Sequence, residues 1–200
     1  KVQNSFFRDT HVNRVEDLEQ SPQVRSVLDA LKPEEVRPVY RFTGLGEAEA
    51  IFHLTRVLAS RHSRLSIKRS NETRWDDLKN TNVVLVGARK FNAQIPDFPF
   101  KLKFLAERGR VVNVAPLSGE KSEYLQARKA SHGDVLEDYA VISVYPGFSP
   151  NTRIVTLESN STEGSVAAAE FLTRSDTLRE LVSRRLPLPR SAPFRAFQVV

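Results

Sequence analysis

An arginine–lysine pair and a cluster of hydroxyls, each placed just after an apolar run, are the residues of this chain best suited to hold a ligand. Arg89 and Lys90 lie in Gly87-Ala88-Arg89-Lys90-Phe91-Asn92, behind Val83-Val84-Leu85-Val86. A guanidinium is a rigid fork that can grip a carboxylate or phosphate with two parallel bonds, whereas an ammonium is a mobile point charge. Asn92 can orient a ligand or cap the next element. Ser159, Ser161, Thr162 and Ser165, with Asn160 and Gly164, follow Ile154-Val155-Thr156-Leu157. N-capping accounts for one or two of these hydroxyls; the rest could surround a phosphate or a sugar. The third junction, Thr43-Gly44-Leu45-Gly46 after Val39-Tyr40-Arg41-Phe42, partly matches a dinucleotide-binding turn. The full fingerprint also needs an acid about 20 residues later, where this chain has Lys68-Arg69-Ser70.

Strands running into loops and then helices would place all three junctions at one carboxyl edge, provided the strands are parallel. The expectation is therefore a three-layer α/β domain whose mostly parallel, doubly wound sheet is Rossmann- or flavodoxin-like. Gly44, Gly46, Arg89, Asn92, Ser161, Thr162 and Gly164 would line one site for a small anionic or phosphorylated ligand, with Arg89 as the charge contact. Strands are expected at about 38–43, at 65–68 on an edge, at 83–86 in the centre and at 111–114, with a strand or a short helix over 101–105. An antiparallel hairpin of 139–145 and 153–157 and a last strand over 194–200 complete the set. Helices are expected over 47–60, 163–173 and 175–185, with a short one opened by a Thr73–Asp76 capping box and another near 123–129. Residues 1–36 read as a polar linker or docked helix, with one amphipathic helix over 22–32 capped by Ser21 and Pro22. Residues 37–200 read as one domain.

The absence of cysteine excludes disulfides, thiolate catalysis and Cys-ligated metals. His11, His53, His62 and His132 are scattered, and no Gly-x-Ser-x-Gly, His-x-x-x-His, Asp-x-Asp or Walker pattern occurs, so no cofactor or metal is expected. Net charge is +6, but Lys and Arg are interleaved with Asp and Glu along the whole chain, which argues against nucleic-acid binding by this chain alone. No run approaches the roughly 18 to 20 apolar residues of a membrane span, and no secretory signal opens the chain, so a cytoplasmic setting is expected. A start at Lys1 fits a trimmed or excised piece. The leading reading is a non-enzymatic ligand-sensing or interaction domain, with a second copy of the chain among the expected partners. The alternatives are an enzyme acting on a nucleotide or phosphorylated metabolite at the same edge, and a nucleic-acid-binding domain.

Several segments resemble one bacterial domain: Gly46-Glu47-Ala48-Glu49-Ala50, Asp77-Leu78, Asn82 to Gly87 with Asn92, and Asp138-Tyr139-Ala140. Thr162-Glu163-Gly164-Ser165 through Ala168 to Thr173 and the closing Phe197-Gln198-Val199-Val200 share the likeness. It is an α/β domain found at the carboxyl end of some bacterial proteins, often behind a winged-helix DNA-binding domain. The resemblance covers roughly residues 38 to 200 and implies a sensory or interaction module of the kind a regulator carries. Ala88 and Phe91 stand where that family has a more polar, proline-containing stretch. Residues 1–36 do not look like a winged helix.

Overall fold

The computed structural model describes residues 20–32, 43–61, 64–92, 100–107, 109–128, 135–185 and 194–200, with 12, 18, 95 and 98 singly. The chain divides into two compact units, residues 1–42 and 43–200. In the first unit, helix α1 (Pro22–Leu31) starts as its sequence dictates. The Ser21 hydroxyl accepts from Val24 N at 3.1 Å and Pro22 occupies the first turn. Lys32, left-handed at φ 42°, closes it by donating its N–H to Leu28 O at 2.8 Å. The strand expected over 38–43 lies outside the described residues, apart from Thr43.

The second unit mixes helices and strands. Its helices are α2 (Leu45–Ala59), α3 (Trp75–Leu78), α4 (Thr162–Thr173) and α5 (Ser175–Glu180), the last continuing as a π-helical turn over Leu181–Arg185. Its strands are β1 (Val83–Val86), β2 (Phe104–Glu107), β3 (Arg110–Asn113), β4 (Glu123–Leu125), β5 (Ala127–Arg128), β6 (Val135–Glu137), β7 (Ala140–Pro146), β8 (Arg153–Ser159) and β9 (Phe197–Val199). The main sheet has the order β1-β8-β7-β9. Among the described residues only β1 and β8 pair in parallel, with Val83 opposite Ile154 and Val86 opposite Leu157, while β7 is antiparallel to both β8 and β9. The expected mostly parallel sheet is thus corrected to a mostly antiparallel one. The cause is local: β7 and β8 are joined by the tight Gly147–Thr152 turn, and a hairpin pairs its strands antiparallel.

The other corrections have equally specific causes. The 83–86 strand is not central but at the margin of the described sheet, with Val84 exposed and Leu85 buried. The covered strand is β8, where Thr156, Glu158 and Ser159 are buried beside Ile154 and Leu157; its polar residues hide that burial from a hydropathy reading. Residues 65–68 form no strand with any described segment, and Leu65 and Ile67 are exposed. Instead of a helix near 123–129 the chain makes β4 and β5. β4 pairs with β3 and β3 with β2 in a small antiparallel sheet. At α3 the cap lies one residue on: Asp77 Oδ2 accepts from Arg74 N at 3.2 Å, and the Thr73 hydroxyl instead donates to Arg69 O at 2.7 Å.

Helices α2 and α4 lie on the same face of the main sheet. Ala50 of α2 and Ala168 and Ala169 of α4 bury against Ile142 and Leu157, flanked by Leu54, Val86, Val155, Phe171 and Leu172. A doubly wound sheet would divide such helices between its two faces. Alanine at the contact lets the helices approach the sheet and each other closely. The opposite face carries the alternate residues of each strand (Ser143, Tyr145, Thr156 and Glu158), because successive side chains of a strand point to opposite sides. On that side Gln198 links β9 to β2: its Oε1 accepts from Lys103 N and Phe104 N at 2.7 and 2.9 Å, and its Nε2 donates to Phe104 O at 3.1 Å.

Candidate functional site

The parallel pair β1/β8 delivers Gly87 and Ser159 to one carboxyl edge, where Gly87 N extends the ladder by donating to Leu157 O at 2.9 Å. Two of the three sequence junctions meet directly above it. A Cβ added to Gly46 would lie 2.5 Å from the Thr162 carbonyl carbon and 2.7 Å from its Cα, and one on Gly44 would lie 3.2 Å from Thr162 Cγ2. The amino ends of α2 and α4 therefore touch backbone to backbone. The third junction joins them through Glu47, whose Cγ lies 3.2 Å from the Cβ position of Gly87. Gly87 has φ +105°, a conformation that side-chain-bearing residues rarely adopt.

The hydroxyl cluster is mostly engaged in capping. Ser161 accepts from Gly164 N at 2.9 Å and donates to the Asp138 carboxylate, which also accepts from Tyr139 N at 2.8 Å. Ser161 N donates to the Ser159 hydroxyl at 3.2 Å, and the buried Ser165 hydroxyl donates to Ser161 O at 3.3 Å and Glu47 Oε1 at 3.4 Å. A Cβ on Gly164 would lie 3.0 Å from Asp138 Oδ2. Thr162 is exposed, its hydroxyl donating to Glu163 Oε2 at 3.1 Å. Asn92 is buried, and its Nδ2 donates to the carbonyls of Val86, Gly87 and Ala88 at 3.1 to 3.4 Å, fixing the loop that leaves β1. Ser161→Ala is expected to cost about 1 kcal/mol for the lost cap, and more if Asp138 is left without its donor. Chemical denaturation would show it as a lower midpoint.

For Arg89, the expected charge contact, no hydrogen bond to Ser161, Thr162 or Gly164 is present among the described residues. Its charge acts on Glu158 and Tyr145, whose strands present them to the face away from α2 and α4. A short 3-10 turn spans Arg89–Phe91. Beneath the sheet, burial pushes the Glu158 carboxyl above its ordinary value, opposed by the Thr156 hydroxyl at 3.0 Å and by Arg89. Burial also raises the Tyr145 phenol. The Ser143 hydroxyl opposes that rise, but it is also taken by Gln198 Nε2 at 3.0 Å, and the Tyr145 oxygen has no aligned hydrogen bond among the described residues.

Two carboxylates, Glu47 and Asp138, reach this edge through Ser165 and Ser161. Oε2 of Glu47 is buried with no hydrogen-bond partner among the described residues. Glu47 is the residue the sequence reading passed over. Its position in the first turn is favourable at any helix start, and the only further signal was its place directly after Gly44-Leu45-Gly46. Among the described residues no three His, Asp or Glu side chains group as metal ligands, and no helix is long and apolar enough to cross a membrane. No protein-family model, curated protein or solved structure matches the chain.

Proposed function

We propose that residues 43–200 form a non-catalytic ligand-sensing or interaction module that takes a small polar ligand where the loops after β1 and β8 meet the start of α2. The observation behind this reading is the Glu47 carboxylate at that junction, one oxygen of which is buried without a donor. A buried acceptor left unsatisfied is costly, and a ligand hydroxyl or ammonium would satisfy it. The acidic lining makes a donor-bearing ligand a better fit than the anion expected from the sequence. The capping hydroxyls and Asn92 already hold one another and the backbone, an arrangement suited to a preformed binding surface. The resemblance to a carboxyl-terminal domain of bacterial proteins that often carry a winged helix makes a sensor within a regulator the natural setting.

The test is a thermal-shift screen of polyols, amino sugars and amines against sugar phosphates and inorganic phosphate. A donor-bearing ligand at 100 times its Kd is expected to stabilise the domain by about 2.7 kcal/mol, and Glu47→Gln should abolish that gain. Hits confined to phosphates would reverse the ligand chemistry. Mass analysis showing that a hit is converted would replace the sensor with an enzyme.

A further inference from the structure

Helix α2 packs one side against the main sheet and α4 and leaves the other to solvent. Leu45 and Phe52 are 74% and 61% exposed, and Ala48, Glu49, Arg56 and Ala59 are exposed beside them. At about 3.6 residues per turn these six side chains share an arc of roughly 100° along the helix. The stripe alternates apolar and charged, as Leu45, Glu49, Phe52 and Arg56 follow one another at spacings of four, three and four residues. An exposed leucine or phenylalanine is ordinary by itself; the order of the charges is not. Glu49 and Arg56 lie equally far on either side of the midpoint between Phe52 and His53 and carry opposite charges. Among the described residues neither forms an ion pair, and the Arg56 guanidinium carbon lies 5.7 Å from the centre of the Phe52 ring. Such a pattern is complementary to itself. Turned end for end about that midpoint, a second α2 sets its Arg56 opposite Glu49 and its Glu49 opposite Arg56, and the two Phe52 side chains come together at the centre. Leu45 then falls beside Ala59 of the second copy, where a small side chain leaves room. The antiparallel setting also places opposite ends of the two helix dipoles side by side.

We propose that the exposed face of α2 is the surface through which two copies of this chain associate, as a twofold-related antiparallel helix pair with two Glu49–Arg56 contacts around the Phe52 rings. An unrelated partner has no need of opposite charges placed symmetrically about one point, whereas a second copy does. One helix pair buries less than the roughly 1,600 Å² of a standard interface, so the dimer is expected to be micromolar rather than nanomolar and to exchange with the monomer. Glu47 lies outside the arc, so the dimer and the ligand reading stand or fall separately. The experiment is sedimentation equilibrium of the whole chain from micromolar to millimolar concentration, where the wild type is expected to follow a monomer–dimer equilibrium. Glu49→Arg or Arg56→Glu alone sets like charges against each other at both symmetric contacts and should weaken the dimer about tenfold. Combining the two substitutions should restore it, and Phe52→Asp should leave only monomer. All three positions are exposed, so each variant should keep the wild-type urea midpoint, and restoration in the double exchange separates a lost contact from a damaged fold. A wild type that stays monomeric throughout, a dimer indifferent to Phe52→Asp, or a double exchange no better than either single variant overturns the proposal.

Discussion

Gly46→Ala is expected to destabilise residues 43–200 more than any other single added methyl group at a described glycine of comparable helical conformation. Gly46 is buried in the first turn of α2. The atoms its new Cβ would meet, 2.5 and 2.7 Å away, are backbone atoms of Thr162 and cannot rotate aside. The helices would have to separate, loosening the contacts of Ala50, Ala168 and Ala169 with Leu157. Overpacking of this kind costs about 1 to 3 kcal/mol and occasionally more, while alanine returns at most about 1 kcal/mol of helix propensity. A net loss of about 2 kcal/mol is expected, read from urea unfolding followed by circular dichroism. Gly109→Ala is the comparison. Nothing lies within 4 Å of its Cβ position, but φ is +72°, so about 1 kcal/mol should be lost to backbone strain alone. A Gly46→Ala protein as stable as the wild type would show that α2 and α4 do not meet backbone to backbone.

Glu158→Gln should do the opposite at neutral pH. Glu158 is 2% exposed, and burial holds its carboxyl above the ordinary range against the weaker pull of Thr156 and Arg89. A carboxyl raised in the folded state binds more protons folded than unfolded. Its stabilising contribution is therefore complete below the unfolded value of about 4.3 and is lost as pH rises through the folded value. The amide keeps the shape, can still accept from the Thr156 hydroxyl and has no charge to desolvate. The variant is expected to exceed the wild type by about 1 to 3 kcal/mol at pH 8, with the gap closing toward pH 4. Urea midpoints of both proteins across that range provide the measurement. A gap of constant size, or a variant less stable at pH 8, would mean that Arg89 compensates the buried charge more strongly than its geometry implies.

Local chemistry was readable because it depends on near neighbours in the chain. Ser21-Pro22 opens α1, Ser161 caps α4, and the Pro146–Asn151 stretch turns the chain between β7 and β8; each works through bonds spanning a few residues. The apolar runs 83–86 and 154–157 were also legible as strands, and their parallel pairing is present. The direction of the remaining pairs was not. Strand hydropathy records how much is covered and says nothing of which neighbour does the covering, so β7 between β8 and β9 made an expected parallel sheet mostly antiparallel. Burial of polar residues was equally hidden. Thr156 and Glu158 look like exposed positions in the sequence and lie inside because a second element covers that face.

The candidate site divides along the same line. Glycine at 44, 46 and 87, asparagine at 92 and the hydroxyls at 159–165 identified three junctions, since each residue type suits a tight turn or a helix start. That Gly46 meets Thr162 and that Glu47 reaches Gly87 depend on how α2, α4 and β1 are stacked. The sequence by itself determined which residues start, cap and end the elements, because those bonds are local. Only the tertiary structure decided that the Glu47 and Asp138 carboxylates come to the carboxyl edge. A side chain at a loop can point to either face of a sheet, and the choice is made by packing between segments distant in the chain.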